Sequence, residues 1–441
     1  MKHHSLEFLA PSELKPRKRA WRTHNRKQIA AVERSLAEWG VVEPPLIDAD
    51  NNIVCGTLIV ELAISKGLNQ IPVIRVGNLT PDQLRLYAIA ANRLADLASY
   101  DDELLAQELR ELEQLLDHPD MGALGFEDGE LDRLLGLAAP ADFDNDEEVE
   151  ISEHDEPITQ FGDLWQVGPH RVLCGNALER SSYDALMAHE LAQFVLSDVP
   201  YNLSRKTISS NEQLDDFKFA FGEMSPGEFT RFLTTAMRHI QAVSEDGSLH
   251  AFFMSYHFLL ELLRAGTIVF DRPKAIVTWV KSQPGQGGLF RSQSEFIAYF
   301  KNGEAPYRNN VSLGRWGRNR SNVWQFDGMT TPSAERAELL KLHATPKPVD
   351  MLKEAILDVT ARNGIVLDPF AGIGSLTLAA HATERRAFTM EIEPKYVDAA
   401  LHRVKKHTGI EPVRTRDGAQ FSELAVKQIR TPTNDEEIST E

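Results

Sequence analysis

The sequence has little cysteine and no long apolar run, and each absence narrows the class of protein. Of 441 residues only Cys55 and Cys174 are cysteines, and neither lies in a Cys-x-x-Cys or histidine-rich setting, so a disulfide framework and a metal centre are both disfavoured. No apolar run approaches the roughly twenty residues of a membrane span, and residues 1–5 lack the apolar core of a signal peptide. We therefore expect a cytoplasmic, globular protein without a membrane partner.

Acidic residues are abundant but unevenly placed. The formal net charge is −18, and residues 141–157 hold nine Asp or Glu and no Lys or Arg. This segment has too little apolar surface to fold alone, so it is predicted to be a linker. It could also shield a basic groove when nucleic acid is absent, although a solvated spacer is the simpler interpretation.

Short β-branched runs and one helical pattern fill residues 1–100 and predict a small α+β domain. Residues 101–140 have leucines at helical spacing and predict a helical extension. Strands and helices alternate over residues 158–410, a pattern typical of an α/β fold with a doubly wound, mostly parallel sheet. The polar residues 411–441 are expected to form a mobile tail.

The segment from Gly364 to Ala380 reads as a buried strand, a glycine turn and an opening helix. Asp368 ends the predicted strand, and Gly372 and Gly374 let backbone amides approach a ligand at the helix N-terminus. Glu391 ends the next predicted strand, where a ribose diol lies in doubly wound sheets. Thr377 stands where a pyrophosphate-binding turn has its third glycine, which favours a nucleoside without phosphates. S-adenosylmethionine fits that description.

A second polar turn, Asp198-Val199-Pro200-Tyr201, follows the predicted buried strand Gln193–Ser197. Ligands of open parallel sheets bind at the carboxyl ends of strands, so this turn is a candidate catalytic site. The Asp198 carboxylate and the carbonyl of Val199 are hydrogen-bond acceptors at this position, and Tyr201 offers an aromatic face.

Two basic segments, residues 272–294 and 305–322, contain no acidic residue. Arg, Asn and Gln grip phosphates and read base edges, so these segments predict contact with double-stranded DNA, against the alternative of a solvated loop. The candidate DNA-binding residues are Lys281, Arg291, Arg308, Arg315, Arg318 and Arg320.

The N-terminal run SLAEWGVVEPPLID, followed by NNIVCGTLIVELAISKGLNQIPVIRV, resembles the ParB/sulfiredoxin-like domain. That family binds phosphate or nucleotide through a Gly-[His/Glu]-x-Arg turn. The corresponding residues here run from Gly56 to Ile59 without the arginine, which disfavours nucleotide hydrolysis and favours a docking or DNA-tethering role.

Residues 158–410 resemble the DNA amino-methyltransferases of the permuted β arrangement. In that family an Asp-Pro-Pro-Tyr turn, a target-recognition region, a His-Pro-Thr-x-Lys-Pro segment and a Phe-x-Gly-x-Gly turn follow one another. Here the same order runs through the Asp198 turn, an insert at about 282–340, the segment His343–Pro348 and the turn Phe370–Gly374.

The resemblance implies that the Asp198 turn acts on an exocyclic base amine, which is a poor nucleophile. The Asp198 carboxylate and the carbonyl of Val199 would accept from its N–H groups and favour a pyramidal nitrogen, and Tyr201 would offer a face for a base swung out of a duplex.

The resemblance also implies a cofactor site for S-adenosylmethionine. It places Gly372 and Gly374 under the methionine portion, Glu391 at the ribose hydroxyls and Lys347 at the methionine carboxylate. The implied cofactor-binding residues are Asp368, Phe370, Gly372, Gly374, Glu391, Thr345 and Lys347.

Departures from the family pattern bear on activity. Val199 replaces the first proline of the catalytic turn, which keeps the carbonyl but removes one constraint on its direction, although the following Pro200 still favours an extended residue 199. Ala344 replaces another proline. We therefore expect retained but reduced methyl transfer.

The leading interpretation is site-specific methylation of adenine N6 in DNA, as in restriction-modification, since serine commonly stands at position 198 in cytosine-N4 members. Cytosine-N4 methylation and a catalytically weakened, partition-type DNA adaptor remain alternatives. An RNA or protein methyltransferase is disfavoured by the long basic insert. The pattern is compatible with a homodimer and names no restriction endonuclease partner.

Overall fold

The computed structural model describes residues 4–17, 21–77, 79–95, 97–98, 100–116, 121–137, 139, 156–203, 222–285, 289–311, 319–327 and 347–429. The chain divides into two compact units, Met1–Leu135 and Gly136–Glu441. Their boundary falls inside the segment expected to form a helical extension.

The first unit is an α+β arrangement, as its pattern predicts. Its sheet has the strand order β1-β4-β2-β3 in the described residues. Its strands are β1 (His4–Leu9), β2 (Leu46–Ile47), β3 (Ile53–Cys55) and β4 (Ile71–Val76). Its helices are α1 (Arg26–Trp39), α2 (Thr57–Ser65), α3 (Pro81–Ala95), α4 (Asp102–Leu115) and α5 (Asp128–Leu134).

Strand β1 is absent from the sequence prediction, and its side chains explain why. Leu6 and Phe8 are 61% and 62% exposed, so the strand has no buried apolar face to produce an alternating signal. Glu7 instead accepts hydrogen bonds from the Arg75 guanidinium on β4, at 2.9 Å from Nε and 2.8 Å from Nη2. A paired carboxylate, which sequence reading assigns to solvent, therefore holds this edge strand.

The second unit is built on one large mixed sheet. Its order in the described residues is β11-β9-β10-β8-β7-β12-β13-β6-β5-β14. The strands are β5 (Leu164–Val167), β6 (His170–Cys174), β7 (Ala192–Ser197), β8 (Ser244–Met254), β9 (Ala275–Val280), β10 (Ser294–Lys301), β11 (Val323–Gln325), β12 (Ile365–Asp368), β13 (Arg386–Glu391) and β14 (Val413–Arg414). The helices are α6 (Arg180–Met187), α7 (Pro226–Ala242), α8 (Leu259–Val269), α9 (Val349–Val359), α10 (Ser375–Ala382), α11 (Pro394–Thr408) and α12 (Phe421–Ile429).

The central strands β8, β7, β12, β13 and β6 run parallel to one another, which confirms the doubly wound, mostly parallel class. From β7 the chain proceeds to β8 on one side, whereas from β12 it proceeds to β13 on the other. The order therefore reverses between β7 and β12. The carboxyl ends of strands at such a switch point are where ligands bind in open α/β sheets.

Helix α7 begins as its sequence predicts. Ser225 Oγ accepts a hydrogen bond from the Glu228 amide, the Glu228 side chain accepts from the Ser225 amide, and Pro226 occupies the first helical turn. This reciprocal capping box satisfies amides that the helix leaves unpaired.

The expectation of a mobile tail from residue 411 is wrong for residues 413–429. Strand β14 pairs with β5, and helix α12 places Phe421, 5% exposed, against Trp165 with 5.5 Å between ring centroids. One strand pairing and one aromatic anchor order a segment whose composition is otherwise polar. Residues 430–441 lie outside the described residues.

Candidate active site at the switch point of the sheet

The two polar turns chosen from the sequence meet at the switch point. β7 ends at Ser197 and β12 ends at Asp368, and these strands are hydrogen-bonded neighbours. Ser197 Oγ donates to Asp368 Oδ1 at 2.7 Å, which links the two strand ends directly. The sheet therefore brings together the two turns, which lie far apart in the sequence.

Asp198 lies in a cluster of charged side chains. Its Oδ2 is 2.6 Å from Lys347 Nζ, and the same ammonium lies 3.5 Å from Glu295 Oε2. Tyr201 Oη donates to Glu295 Oε2 at 2.7 Å, and Lys281 Nζ donates to the other oxygen of Glu295. Two carboxylates thus share one buried lysine, whose side chain is 5% exposed.

Burial and charge together set the protonation of the cluster. Burial raises the pKa of Asp198, Lys347 opposes that rise, and the negative charge of Glu295 adds to it. Burial also favours neutral Glu295, but Lys347 and Lys281 outweigh it and hold the pKa of Glu295 at about 2. Burial lowers the pKa of Lys347, yet the two carboxylates raise it overall, so the lysine stays charged.

The second oxygen of Asp198, Oδ1, is buried and has no hydrogen-bond partner among the described residues. A buried carboxylate oxygen without a donor is costly, so it marks a position suited to a donor from a ligand. Val199 beside it is 2% exposed and packs in the main core. Its side chain therefore fixes the turn by burial where the family pattern uses a proline ring.

Lys347, which the resemblance implied as a cofactor-binding residue, contacts the Asp198 turn. Its ammonium is engaged with Asp198 and Glu295 and lies 5.3 Å from the centroid of the Tyr201 ring. The described contacts therefore join Lys347 to the charged cluster around Asp198. Thr345 lies outside the described residues.

The glycine turn is held by its own backbone and by Glu391. The Gly372 amide donates to Glu391 Oε2 at 3.0 Å, and the amides of Ile392 and Glu393 donate to Oε1 at 2.8 and 2.9 Å. Burial raises the pKa of Glu391 and these backbone donors oppose the rise. The carboxylate thus ties the end of β13 to the turn after β12.

Gly374 is required for packing as well as for conformation. It has φ +78° as the residue before helix α10, and an added Cβ would lie 2.9 Å from Ala400 Cβ on α11. A side chain there would meet both left-handed strain and a steric clash. Phe370, which precedes the glycines, packs partly buried against the core, 6.0 Å from Phe232 between ring centroids.

Asp368 has an altered titration. Burial is the largest cause that raises its pKa, to about 7, with smaller contributions from the charges of Asp198 and Glu391, against hydrogen bonds from Phe370 N and Ser197. Three carboxyl groups therefore influence one another at this edge of the sheet. Such a site favours a cationic ligand.

Only some of the described basic side chains in the two basic segments are exposed. Arg291 is exposed and donates to the backbone carbonyls of Pro284 and Gly285, and Arg308 is exposed. Lys281 is turned inward to Glu295. Arg320, with a side chain 16% exposed, pairs with Glu354 and Asp358 on α9. The structure thus engages Lys281 and Arg320 inside the unit and does not support their assignment to DNA contact. Arg315 and Arg318 lie outside the described residues.

Sequence reading missed two residues of the site. Glu295 belongs to an ordinary strand pattern and its partners Tyr201 and Lys347 lie in distant segments, so no local pattern marks it. Asn202, 1% exposed with φ 51°, donates to the carbonyl of Met224 and accepts from the amides of Gly222 and Met224. An Asn just after a catalytic turn was a usable signal, because Asn tolerates the left-handed region.

Within the described parts of the chain, no cluster of three or more His, Cys, Asp or Glu side chains could hold a metal ion. No helix in those parts has the length and apolarity needed to cross a membrane.

A mostly parallel sheet with a glycine turn and an acceptor-rich edge at its switch point defines an α/β protein of the nucleoside-binding kind. Residues 192–402 match the N6/N4 DNA methylase family, and residues 103–161 match the ParB-methyltransferase HTH domain. Residues 192–402 are therefore similar to the amino-methyltransferase domain of the N6/N4 DNA methylases, and the preceding residues 103–161 are similar to a ParB-type domain found with methyltransferases.

Two of the relatives above 30% identity match short stretches of the chain. The type II methyltransferase M.BglII of Bacillus subtilis is 37% identical over 84 residues, 19% of this chain and 22% of that protein. The DNA adenine methyltransferase YhdJ of Escherichia coli (strain K12) is 34% identical over 113 residues, 26% of this chain and 35% of that protein. The chain thus spans well under half the length of these curated relatives. The solved cytosine-N4-specific PvuII DNA methyltransferase is 14% identical, with a TM-score of 0.43 over 63% of this chain and 95% of that one.

Proposed function

We propose that this protein is an S-adenosylmethionine-dependent DNA methyltransferase that methylates the exocyclic N6 of adenine in double-stranded DNA. The observation that carries the proposal is Asp198 Oδ1, a buried acceptor without a donor at the switch point, next to the glycine turn. An amine that must present an N–H to this oxygen fits the position.

The residues at the sheet edge fit S-adenosylmethionine. Asp368 has a raised pKa to which Asp198 and Glu391 contribute, so a ligand that carries positive charge would relieve their mutual repulsion. The turn from Phe370 to Gly374 would hold the cofactor, with Glu391 as the acceptor for the ribose hydroxyls. When bound, the cofactor supplies an electrophilic methyl group on a sulfonium.

The catalytic turn would act on the base rather than on the cofactor. Asp198 Oδ1 and the carbonyl of Val199 accept from the two N–H groups of the target amine, which directs the nitrogen lone pair out of the ring plane. Lys347 favours the ionised form of Asp198 through its other oxygen, at 2.6 Å, against the effect of burial. Tyr201 is held by Glu295 through its hydroxyl and presents its ring to an extruded base.

Adenine is proposed over cytosine because an acid stands at position 198. The relative YhdJ, named a DNA adenine methyltransferase, supports the same choice. Cytosine-N4 transfer is the alternative within the same family. The names of the type II relatives suggest a role in restriction-modification, which we propose for this chain as well.

Modification-sensitive sequencing of DNA from a host that expresses the protein tests this proposal. We expect N6-methyladenine at one short sequence with the parent and none with Asp198→Asn. N4-methylcytosine instead would select the alternative. If the parent folds and the DNA is unmodified, the result favours the alternative function, a non-catalytic DNA-binding adaptor.

The exposed arginines Arg291 and Arg308 are the described candidates for phosphate contact. Replacing both with alanine should lower DNA affinity and reduce the slope of log affinity against log salt by about 2, since each phosphate contact contributes about 0.9. Arg320→Ala is the matched control, because its guanidinium is paired internally. It should lower thermal stability and leave the salt slope unchanged. Equal slopes for the double variant and the parent would contradict the assignment.

A further inference from the structure

Glu295 is a buried acid near the start of β10, 9% exposed. In the sheet, β8 separates β10 from β7, so the side chain reaches the catalytic turn from two strands away. It accepts from the Tyr201 hydroxyl at 2.7 Å and lies 3.5 Å from Lys347 Nζ. Lys281 occupies its other oxygen. Burying an acid is costly unless it is paired, so this pairing holds the acid in place within the site.

The contacts with Lys347 and Tyr201 draw donors toward Glu295 and away from Oδ1 of Asp198, although Lys347 still donates to Oδ2 of Asp198 at 2.6 Å and the Tyr201 hydroxyl also lowers the pKa of Asp198. Lys347 has three N–H donors and lies between two carboxylates, so Glu295 draws the ammonium to one side while Asp198 uses Oδ2. The Tyr201 hydroxyl has one proton, and Glu295 accepts it. Without Glu295, both donors could turn to Asp198 Oδ1, which now has no partner among the described residues.

We propose that Glu295 is a positioning residue that keeps Oδ1 of Asp198 available to the target amine by drawing the Lys347 ammonium and the Tyr201 hydroxyl to itself. The inference rests on the proposed function for its catalytic meaning. Its structural part, control of the Asp198 environment by Glu295, stands on the contacts alone.

The charged and titratable groups that face Asp198 are Lys347, Glu295, Tyr201 and Asp368. Removing the charge of Glu295 takes away a like charge near Asp198 and ends the competition of a second carboxylate for Lys347. Both changes favour ionised Asp198, so its pKa should fall. A tighter ion pair also makes the carboxylate a poorer acceptor for the amine.

Glu295→Gln tests the inference, since glutamine keeps the shape and loses the charge. Carboxyl NMR titration of the full chain, with the Asp198 signal assigned by Asp198→Asn, should show the Asp198 pKa below its parent value. Single-turnover methyl transfer to duplex DNA should fall about tenfold to a hundredfold, as expected for a displaced reacting group, with cofactor affinity unchanged. The acid limb of the pH–rate profile should move to lower pH.

Glu261→Gln is the matched control. Glu261 is a buried acid, 7% exposed on α8, and its recorded ion pair is with Arg264 at 3.9 Å. It should leave both the titration of Asp198 and the rate unchanged. Glu295→Asp, which keeps the charge and withdraws the carboxylate by one methylene from Tyr201 and Lys347, is the second variant if Glu295→Gln fails to fold. It should lower the rate without the drop in the Asp198 pKa expected from charge removal.

The outcomes separate the two proposals. A folded Glu295→Gln with the parent titration of Asp198 and the parent rate would overturn the inference, as would a Glu295→Asp variant with the parent rate where only that variant folds. A parent that transfers no methyl group would overturn the proposed function instead, and the NMR titration would still decide whether Glu295 controls Asp198.

Discussion

The turn after β7 and the turn after β12 lie side by side and are stabilised in opposite ways. At the glycine turn, a carboxylate from the neighbouring strand accepts backbone amides, so the geometry is set by the main chain. At the Asp198 turn, side chains from three separate segments hold one another through charge. The first arrangement suits a cofactor that is always the same, and the second suits a reacting group whose charge must be controlled.

Asp198→Ala should give the largest effect, because it removes the acceptor itself. Losing one preorganised group of this kind costs about a hundredfold or more in rate. Single-turnover transfer of a labelled methyl group to duplex DNA measures it, and calorimetry should find the affinity for S-adenosylmethionine within about twofold of the parent. A comparable loss of cofactor affinity would show that the two turns are not separate in function.

Gly374→Ala should damage the other turn. The substitution adds left-handed strain and a Cβ 2.9 Å from Ala400 Cβ, so we expect a stability loss of about 1–3 kcal/mol together with weaker cofactor binding. Gly409→Ala is the matched control, because Gly409 has φ +71° but nothing within 4 Å of the added atom. Urea unfolding compares the two variants. Equal losses would mean that strain alone, and not the contact with α11, makes glycine necessary at position 374.

The sequence alone predicts which residues meet at the glycine turn but not which residues meet at the Asp198 turn, because the partners of the second turn lie on distant strands. Asp368, Gly372, Gly374 and Glu391 belong to one strand-turn-helix-strand unit, so the local pattern predicts their proximity. Glu295 reaches the site only because β10 pairs with β8 and β8 with β7, which no local pattern specifies.

Arginines and tail residues show the same limit. Arg320 lies in an acid-free segment and is predicted to be a surface residue. Its guanidinium instead pairs with Glu354 and Asp358, one turn apart on α9, and is largely buried. Residues 413–429 look like a tail, yet β5 offers them an open edge. Composition predicts the environment of a segment only when its partners are close in sequence.

The pKa of Asp368, at about 7, predicts that the affinity for the cofactor depends on pH. An ionised Asp368 favours a cationic ligand, so the affinity for S-adenosylmethionine should rise severalfold from pH 6 to pH 8 and then level off. Asp368→Asn should remove this pH dependence, as calorimetry at several pH values can test.

Asp368 has the opposite effect on folding stability, which should fall as pH rises. Because its pKa is raised on folding, the folded state binds more protons than the unfolded state between about pH 4 and pH 7, so the contribution of Asp368 to the free energy of unfolding falls as pH rises through that window. A parent and an Asp368→Asn variant with parallel stability profiles from pH 4 to pH 7 would contradict the assignment.

Substitution of Val199 should change the methyl-transfer rate least, and it tests whether the backbone of the Asp198 turn takes part in the reaction. If the carbonyl of residue 199 is the second acceptor, its side chain matters only through how firmly it fixes the backbone. Val199 is 2% exposed in the core, so burial already supplies that constraint. Val199→Pro should therefore keep the methyl-transfer rate within a few-fold of the parent or raise it, with cofactor affinity unchanged.

Val199→Ala is the informative partner, because it removes the packing without adding a ring. It should cost about 1–3 kcal/mol of stability through the cavity it leaves. It should also lower the rate more than Val199→Pro does, because the carbonyl is then free to turn. An inactive parent that gains activity in Val199→Pro would mean that the valine is an inactivating substitution and that the chain acts as a DNA-binding adaptor. If the parent is active and Val199→Pro is inactive, the carbonyl of residue 199 is not the second acceptor, since that substitution keeps the oxygen and restores the Asp-Pro-Pro-Tyr turn of the family.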